Sequence, residues 1–252
     1  MYPTAFRIGV VEISSFGVMV AIAAIAGLWI LRGELRRSRL PPDALDVAVA
    51  GVIGGLIGAK LLWVAEHRGE SVFFELLASR AGLSWFGGLL GGVGTALGVL
   101  RWKALRVTPV LAAATPALAI AHAIGRVGCL LVGDDYGRPS DLPWALAFPD
   151  GLPPTVERVH PTQIYEAIGL IPVAWILFRL RRRSDSDQAV VGWYLVLTGG
   201  LRFFIEFIRI NARVALGLTV AHWVALTLIG VGAVLLARNS EDPATTTVHT
   251  SA

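Results

Sequence analysis

His122-Ala-Ile-Gly-Arg126-Val-Gly-Cys129 opens, and His160-Pro-Thr-Gln-Ile-Tyr-Glu166 closes, the stretch around which this chain is organised. Between them lie Asp134, Asp135, Tyr136, Arg138, Asp141 and Asp150, and apolar sequence of membrane type flanks the stretch on both sides. Hydrocarbon offers no water to such groups, so they must face a cavity, a partner or the membrane surface.

Working outward, composition sets the class. Of the 252 residues 55% are hydrophobic and only 16% are charged, with a mean hydropathy of +0.66. A soluble domain of this length has no core large enough to hide that surface, so the chain reads as a polytopic membrane protein. The formal net charge of +4 has no basic, aromatic-interleaved patch behind it. It reads as charge on cytoplasmic loops, with no nucleic acid as partner. A single cysteine, Cys129, excludes an internal disulfide. No basic leader followed by an Ala-x-Ala site marks a cleavable signal peptide at the start.

Apolar runs fall near residues 14–31, 45–65, 83–100, 109–125, 161–178, 190–208 and 217–237. A span needs roughly 20 apolar residues, so the expected fold is all-α, with about seven transmembrane helices. Basic residues concentrate in alternate connections: Arg32, Arg36, Arg37 and Arg39; Arg101, Lys103 and Arg106; Arg179, Arg181, Arg182 and Arg183. That bias places the N-terminus outside, the C-terminus in the cytoplasm and the 126–160 connection outside, as an extracytoplasmic cap. Residues 1–238 then form the membrane domain, and the polar tail 239–252 is expected to be disordered.

Gly51, Gly54, Gly55 and Gly58, and Gly87, Gly88, Gly91, Gly92 and Gly94, recur at helical spacing. Small residues let membrane helices approach closely, which accounts for both groups without a ligand loop. Arg126, at the end of the fourth run, has no obvious carboxylate on its own helix face. Arg202 has Glu206 one turn on, so it fits either an internal ion pair or a grip on phosphate. A buried Arg costs at least about 2.5 kcal/mol, so each needs a partner. Gly125, Gly128, Gly133 and Gly137 permit a sharp turn or a close backbone approach. Asp134 and Asp135, with no His at ligand spacing, make a weak metal signal, and no metal or cofactor is expected. His160 before Pro161 fits a helix start and a substrate-positioning role equally. Cys129 reads as a small buried residue rather than a nucleophile.

Gly125-Arg126-Val127-Gly128 followed by Gly133-Asp134-Asp135-Tyr136-Gly137 resembles the signature of the prolipoprotein diacylglyceryl transferase family. The likeness continues through Leu83-Ser84-Trp85-Phe86-Gly87-Gly88, the His160–Glu166 element, Arg202-Phe203-Phe204-Ile205-Glu206-Phe207-Ile208-Arg209 and Ser15-Phe16-Gly17-Val18-Met19, nearly the whole chain in order. The resemblance implies an inner-membrane enzyme with two substrates, phosphatidylglycerol and a prolipoprotein signal peptide carrying a lipobox cysteine. It moves the diacylglyceryl group onto that thiol, makes a thioether and releases glycerol phosphate. Arg126 and Arg202 then match head-group arginines, Glu206 orients Arg202, and His160 joins them as a catalytic candidate. Gly125, Gly128, Cys129, Asp134, Gly137, Gln163, Tyr165, Glu166, Phe86 and Phe16 shape the substrate pocket. Three positions depart from the family pattern. Phe86 stands where a His precedes Gly-Gly, Cys129 where an Asn follows Arg-x-Gly, and Phe16 where the first helix carries Tyr. The base is left open among His160, Glu206 and Asp134. A lipid-binding relative without turnover and a transporter remain as alternatives.

Overall fold

The seven apolar runs are seven long helices in the computed structural model, which describes residues 2–9, 11–69, 72–78, 82–184 and 186–240. In chain order the elements are β1 (Thr4–Ile8), β2 (Val11–Ser14), α1 (Ser15–Arg37), α2 (Ala44–Glu66), a short α3 (Phe73–Ala78), α4 (Trp85–Trp102) and α5 (Val107–Val132). There follow β3 (Leu146–Phe148), β4 (Thr155–Val159), α6 (Thr162–Arg183), α7 (Asp187–Glu206), β5 (Arg213–Ala215), β6 (Leu218–Thr219) and α8 (Val220–Ser240). Among the described residues six helices, α1, α2, α5, α6, α7 and α8, are long and apolar enough to cross a membrane. The glycine-rich α4 is not among those six.

Helix ends depart from the apolar runs where charge is met by a partner. α1 continues to Arg37, whose guanidinium pairs with Glu34 at 2.6 Å, so the first basic cluster is largely helical rather than a connection. α5 runs through Arg126 to Val132, and the connection expected at 126–160 is in fact residues 133–161. α8 ends at Ser240, past the expected tail boundary at 239. The tail beyond it lies outside the described residues.

The chain divides into two compact units. In residues 31–110, α2 lies against α4 through glycines. A Cβ on Gly58 would come within 2.9 Å of Gly91 Cα, and one on Gly92 within 3.1 Å of Gly51 O. The Thr95 hydroxyl donates across the pair to Ala50 O at 2.9 Å, a polar tie in an otherwise apolar contact.

In the other unit, α5, α6 and α7 share a core of Ala112, Ala119, Val173, Ala174, Leu177 and Val190. Pro116 stands inside α5 and cannot donate to the carbonyl four residues back, Ala112 O. The buried Thr115 hydroxyl donates to that oxygen at 3.0 Å, so the helix continues without an orphaned carbonyl. α7 meets α8 where Gly192 approaches Gly232 and Gly199 faces Ala225. Thr219 and His222 cap α8 reciprocally: His222 N–H donates to the Thr219 hydroxyl at 3.3 Å, and Thr219 N–H to His222 Nδ1 at 3.2 Å. The 133–161 segment has a small core of its own, Tyr136 stacked on Phe148 at 5.4 Å beside Val159, with the Tyr136 hydroxyl donating to Pro153 O at 2.7 Å.

Candidate active site

Helical periodicity sets His122, Arg126 and Cys129 on one side of α5, at i, i+4 and i+7. The first turns of α6 supply Thr162, Gln163 and Glu166, and the end of α7 supplies Arg202, Glu206 and, just beyond it, Arg209. Backbone ties bring the 133–161 segment to them. The Thr162 hydroxyl donates to Asp135 O at 2.6 Å, and the Gln163 amide donates to Asp134 O. Gly137 N–H bonds His160 O at 2.9 Å, and Arg138 N–H bonds Ile208 O at 2.8 Å. A Cβ on Gly137 would lie 2.6 Å from Ile208 O, so only glycine fits there. Gly133, at φ +72°, turns the chain out of α5, and Asp135 holds φ +62°, a left-handed backbone that Asp tolerates better than most residues.

Glu166 is the centre of the resulting network, with its side chain only 2% exposed. Its Oε2 lies 3.0 Å from Arg126 Nε and 3.5 Å from Arg202, and its Oε1 lies 3.3 Å from His122 Nε2. Arg126 also pairs with Asp135 at 2.7 Å, and Asp135 in turn pairs with Arg209. Arg202 pairs with Glu206 at 2.8 Å, one turn along α7. Glu206 accepts from Asn211 at 2.7 Å and from the Thr219 hydroxyl at 2.8 Å. Three guanidiniums, of Arg126, Arg202 and Arg209, are thus set against three carboxylates, of Asp135, Glu166 and Glu206. Within this set the three positive and three negative charges balance, as buried ions must.

The two acids outside the helices are tuned in opposite directions. Burial pushes the Asp134 carboxyl up, and its neighbour Asp135 adds to that. Burial acts on Asp135 as well, but Arg209 and Arg126 outweigh it and hold its carboxyl below the usual range. His160 is lowered by burial and by Arg138.

The expected site residues therefore divide. Arg126, Arg202, Glu206 and Glu166 meet directly, with Cys129 buried 3.6 Å from Arg126 and Asp134 and Gln163 alongside. As expected, Arg126 has no carboxylate on its own helix face; its partners come from α6 and from the 133–161 segment. His160 forms a separate chain, its Nδ1 3.2 Å from the Tyr165 hydroxyl, which accepts from Trp144 at 2.8 Å. Gly125 and Gly128 are helical. Gly128 leaves room for Phe16, whose ring would lie 3.2 Å from a Cβ there, and a Cβ on Gly125 would meet nothing within 4 Å. Phe86, half exposed, is the second residue of α4 in the other unit. Cys129, Asp134 and Asp135 bring ligand atoms within 4.8 Å of one another, but a metal ion would have to displace two guanidiniums from Asp135. The sequence alone left out His122, Arg209, Asn211 and Thr219. His122 carried a signal in its spacing, i−4 from Arg126; Asn211 and Thr219 carried none.

A profile of the family described as prolipoprotein diacylglyceryl transferase matches residues 3–238. A protein of Geobacter sulfurreducens is 33% identical over 216 residues, 82% of this chain and 82% of its own length. One of Polynucleobacter asymbioticus is 32% identical, covering 95% of this chain and 97% of its own, and one of Clostridium tetani is 27% identical, covering 92% and 95%. Each of the three carries the name phosphatidylglycerol–prolipoprotein diacylglyceryl transferase.

Proposed function

The chain belongs to the prolipoprotein diacylglyceryl transferase family, and from that premise we propose how its site works. It is a multi-pass membrane transferase of lipoprotein biosynthesis that moves a diacylglyceryl group from phosphatidylglycerol to a prolipoprotein. The acceptor is the lipobox cysteine thiol in the signal peptide. Its sulfur displaces the phosphate ester oxygen from the glyceryl carbon, a thioether forms, and glycerol phosphate leaves.

The observation that carries the site assignment is the convergence of Arg126 and Arg202, from different helices, on the one carboxylate of Glu166. The lipid phosphodiester lies beside these two guanidiniums, whose planar forks suit phosphate oxygens. Negative charge that grows on the leaving phosphate then meets donors already in position, which lowers the barrier without reorganisation. Glu206 orients Arg202, and Asp135 orients Arg126. Gly125, Gly128, Cys129, Asp134, Gly137, Gln163 and Tyr165 wall the head-group side, while Phe16 faces acyl chains or the signal peptide. The 133–161 segment caps the outer mouth. The arginine-rich connections lie in the cytoplasm, which puts the N-terminus outside and the C-terminus inside a bacterial cytoplasmic membrane.

Purified full-length protein, mixed with phosphatidylglycerol micelles and a single-cysteine lipobox peptide, tests this. The peptide should gain the mass of a diacylglyceryl group, and a Cys-to-Ser peptide should gain nothing. Equal labelling of both peptides, or none of either, sinks the assignment. Restored growth and lipoprotein lipidation in cells depleted of their own transferase is the matching result in vivo.

A further inference from the structure

The described histidines differ in what they can reach. His67 stacks on Trp63 with its Nδ1 at 2.9 Å from Trp63 O. His160 is engaged with Tyr165. His222 is 3% exposed, shut in by Phe203 and Phe207 at ring distances of 5.1 and 4.6 Å. His122 alone among them both touches the arginine–carboxylate network and remains open, with 42% of its side chain exposed. Its Nε2 lies 3.3 Å from Glu166 Oε1 and 3.5 Å from Arg126 Nε, whereas its Nδ1 makes no hydrogen bond among the described residues.

We propose that His122, oriented by Glu166, is the base that takes the proton from the acceptor thiol. Arg126 Nε–H also points at Nε2, but at 3.5 Å against 3.3 Å for Glu166 Oε1, and it is spent on Glu166 Oε2 at 3.0 Å; Nε2–H therefore donates to Glu166, Nδ1 carries the lone pair, and Glu166 stabilises the imidazolium that forms. A buried carboxylate does the same for the base of a Ser-His-Asp triad.

Charge supplies a second, independent argument. The network is neutral before the lipid arrives, with Arg126, Arg202 and Arg209 against Asp135, Glu166 and Glu206. A phosphodiester beside it adds one negative charge, which a low-dielectric site tolerates poorly. The proton taken from the thiol leaves an imidazolium beside the lipid, and its positive charge meets the second negative charge that the phosphate gains as the C–O bond breaks. In the step, the S–H proton passes to His122 Nδ1. The sulfur electron pair forms the S–C bond, and the C–O bond to phosphate breaks with its electrons on the phosphate oxygen. His122 then returns the proton to the released phosphate or to water, so the site regains its starting charge.

This inference rests on the transferase reading, and the experiment separates the two. Rates are measured from pH 5.5 to 9.5 for the wild-type chain, His122→Gln and His122→Ala, with the micelles and lipobox peptide above. If the wild-type chain makes no thioether, the transferase reading itself fails, and the base falls with it. Given wild-type turnover, the wild-type rate should rise with pH through one ionisation that His122→Gln lacks. The charged groups that face His122 are Arg126 on α5 and Glu166 on α6, with Arg202 on α7 behind Glu166. His122→Gln keeps a donor for Glu166 but cannot take a proton. Its kcat should fall about 100-fold at pH 7 with KM for phosphatidylglycerol little changed. The deficit should narrow above about pH 8.5, where the acceptor thiol ionises unaided. Added imidazole should restore part of the rate to His122→Ala. A loss under threefold, or a loss equal at every pH and untouched by imidazole, overturns the proposal. Should neither variant fold, a wild-type rate that does not change between pH 5.5 and 9.5 overturns it.

Discussion

Glu166 Oε2 stands 3.0 Å from Arg126 Nε, joining the end of α5 to the beginning of α6 by one buried ion pair. The same carboxylate also meets Arg202 and His122, so its charge is shared among three cationic or titratable groups. Glu166→Gln leaves two guanidiniums short of a counter-charge in a dry site. Removing one partner of a buried pair costs on the order of 3 kcal/mol, so the unfolding midpoint should drop clearly in detergent. Transfer activity should fall by more than about tenfold.

Arg126 and Arg202 should answer differently to lysine. Arg126 uses Nε for Glu166 and NH1 for Asp135, two directions that one ammonium cannot serve. Both Arg126→Lys and Arg202→Lys should lose at least about tenfold in kcat/KM. Only Arg126→Lys should also raise hydrogen exchange across residues 133–161, because Asp135 of that segment is anchored on it. Equal exchange in both variants would count against Arg126 as the anchor.

Asp134 and Asp135 should respond to pH with opposite signs. The folded state raises the Asp134 carboxyl, so its favourable contribution is complete below the ordinary carboxylate value and is lost as pH rises through the folded one. At pH 7 its charge is a cost. Asp134→Asn should therefore raise the midpoint by roughly 1–3 °C, with the gain fading below about pH 4. Asp135 is depressed, so its contribution is present above the ordinary value and disappears as pH falls through the folded one. Asp135→Asn should lower the midpoint at pH 7 and have progressively less effect in acid. Thermal scans of both variants between pH 3 and 8 would show the crossing or refute it.

The α2–α4 contact offers a test remote from the chemistry. Gly58 faces Gly87 and Gly91 with no room for a side chain. Gly58→Val should force the helices apart and cost about 1–3 kcal/mol. Gly94→Ala, on the same helix as Gly91 but with nothing within 4 Å of its Cβ, should be nearly silent. Unfolding in one detergent compares the two directly.

Apolar runs revealed the helices because a span requires them, and glycine spacing revealed the α2–α4 contact because close packing requires small residues. Polar helix ends were illegible for the opposite reason. α5 continues past Arg126 only because Glu166 and Asp135 neutralise it, and neither lies on that helix. Arg202 with Glu206 was readable, since both sit on one helix a turn apart. Arg209 and Asn211 reach the site from the turn just after α7, and Thr219 through the β5–β6 hairpin that folds the chain back from α7 to α8. No local pattern announces such a return. Residues 133–161 were legible as a polar connection, from the charged residues that interrupt the apolar runs near 126–160. Their tie to α6 rests on backbone oxygens of Asp134 and Asp135, which side-chain identity does not disclose.

The neutral network also sets a timetable for biogenesis. Synthesis delivers Arg126 before any of its carboxylates. Asp135 follows nine residues later, Glu166 only with the next helix, and Arg202 a further 36 residues beyond Glu166. Until α6 arrives, Asp135 is the one carboxylate that can meet Arg126, and a guanidinium short of counter-charge resists entry into hydrocarbon. α5 should therefore settle to its final depth as one member of a pair, and a nascent chain stopped short of Glu166 should hold it shallow.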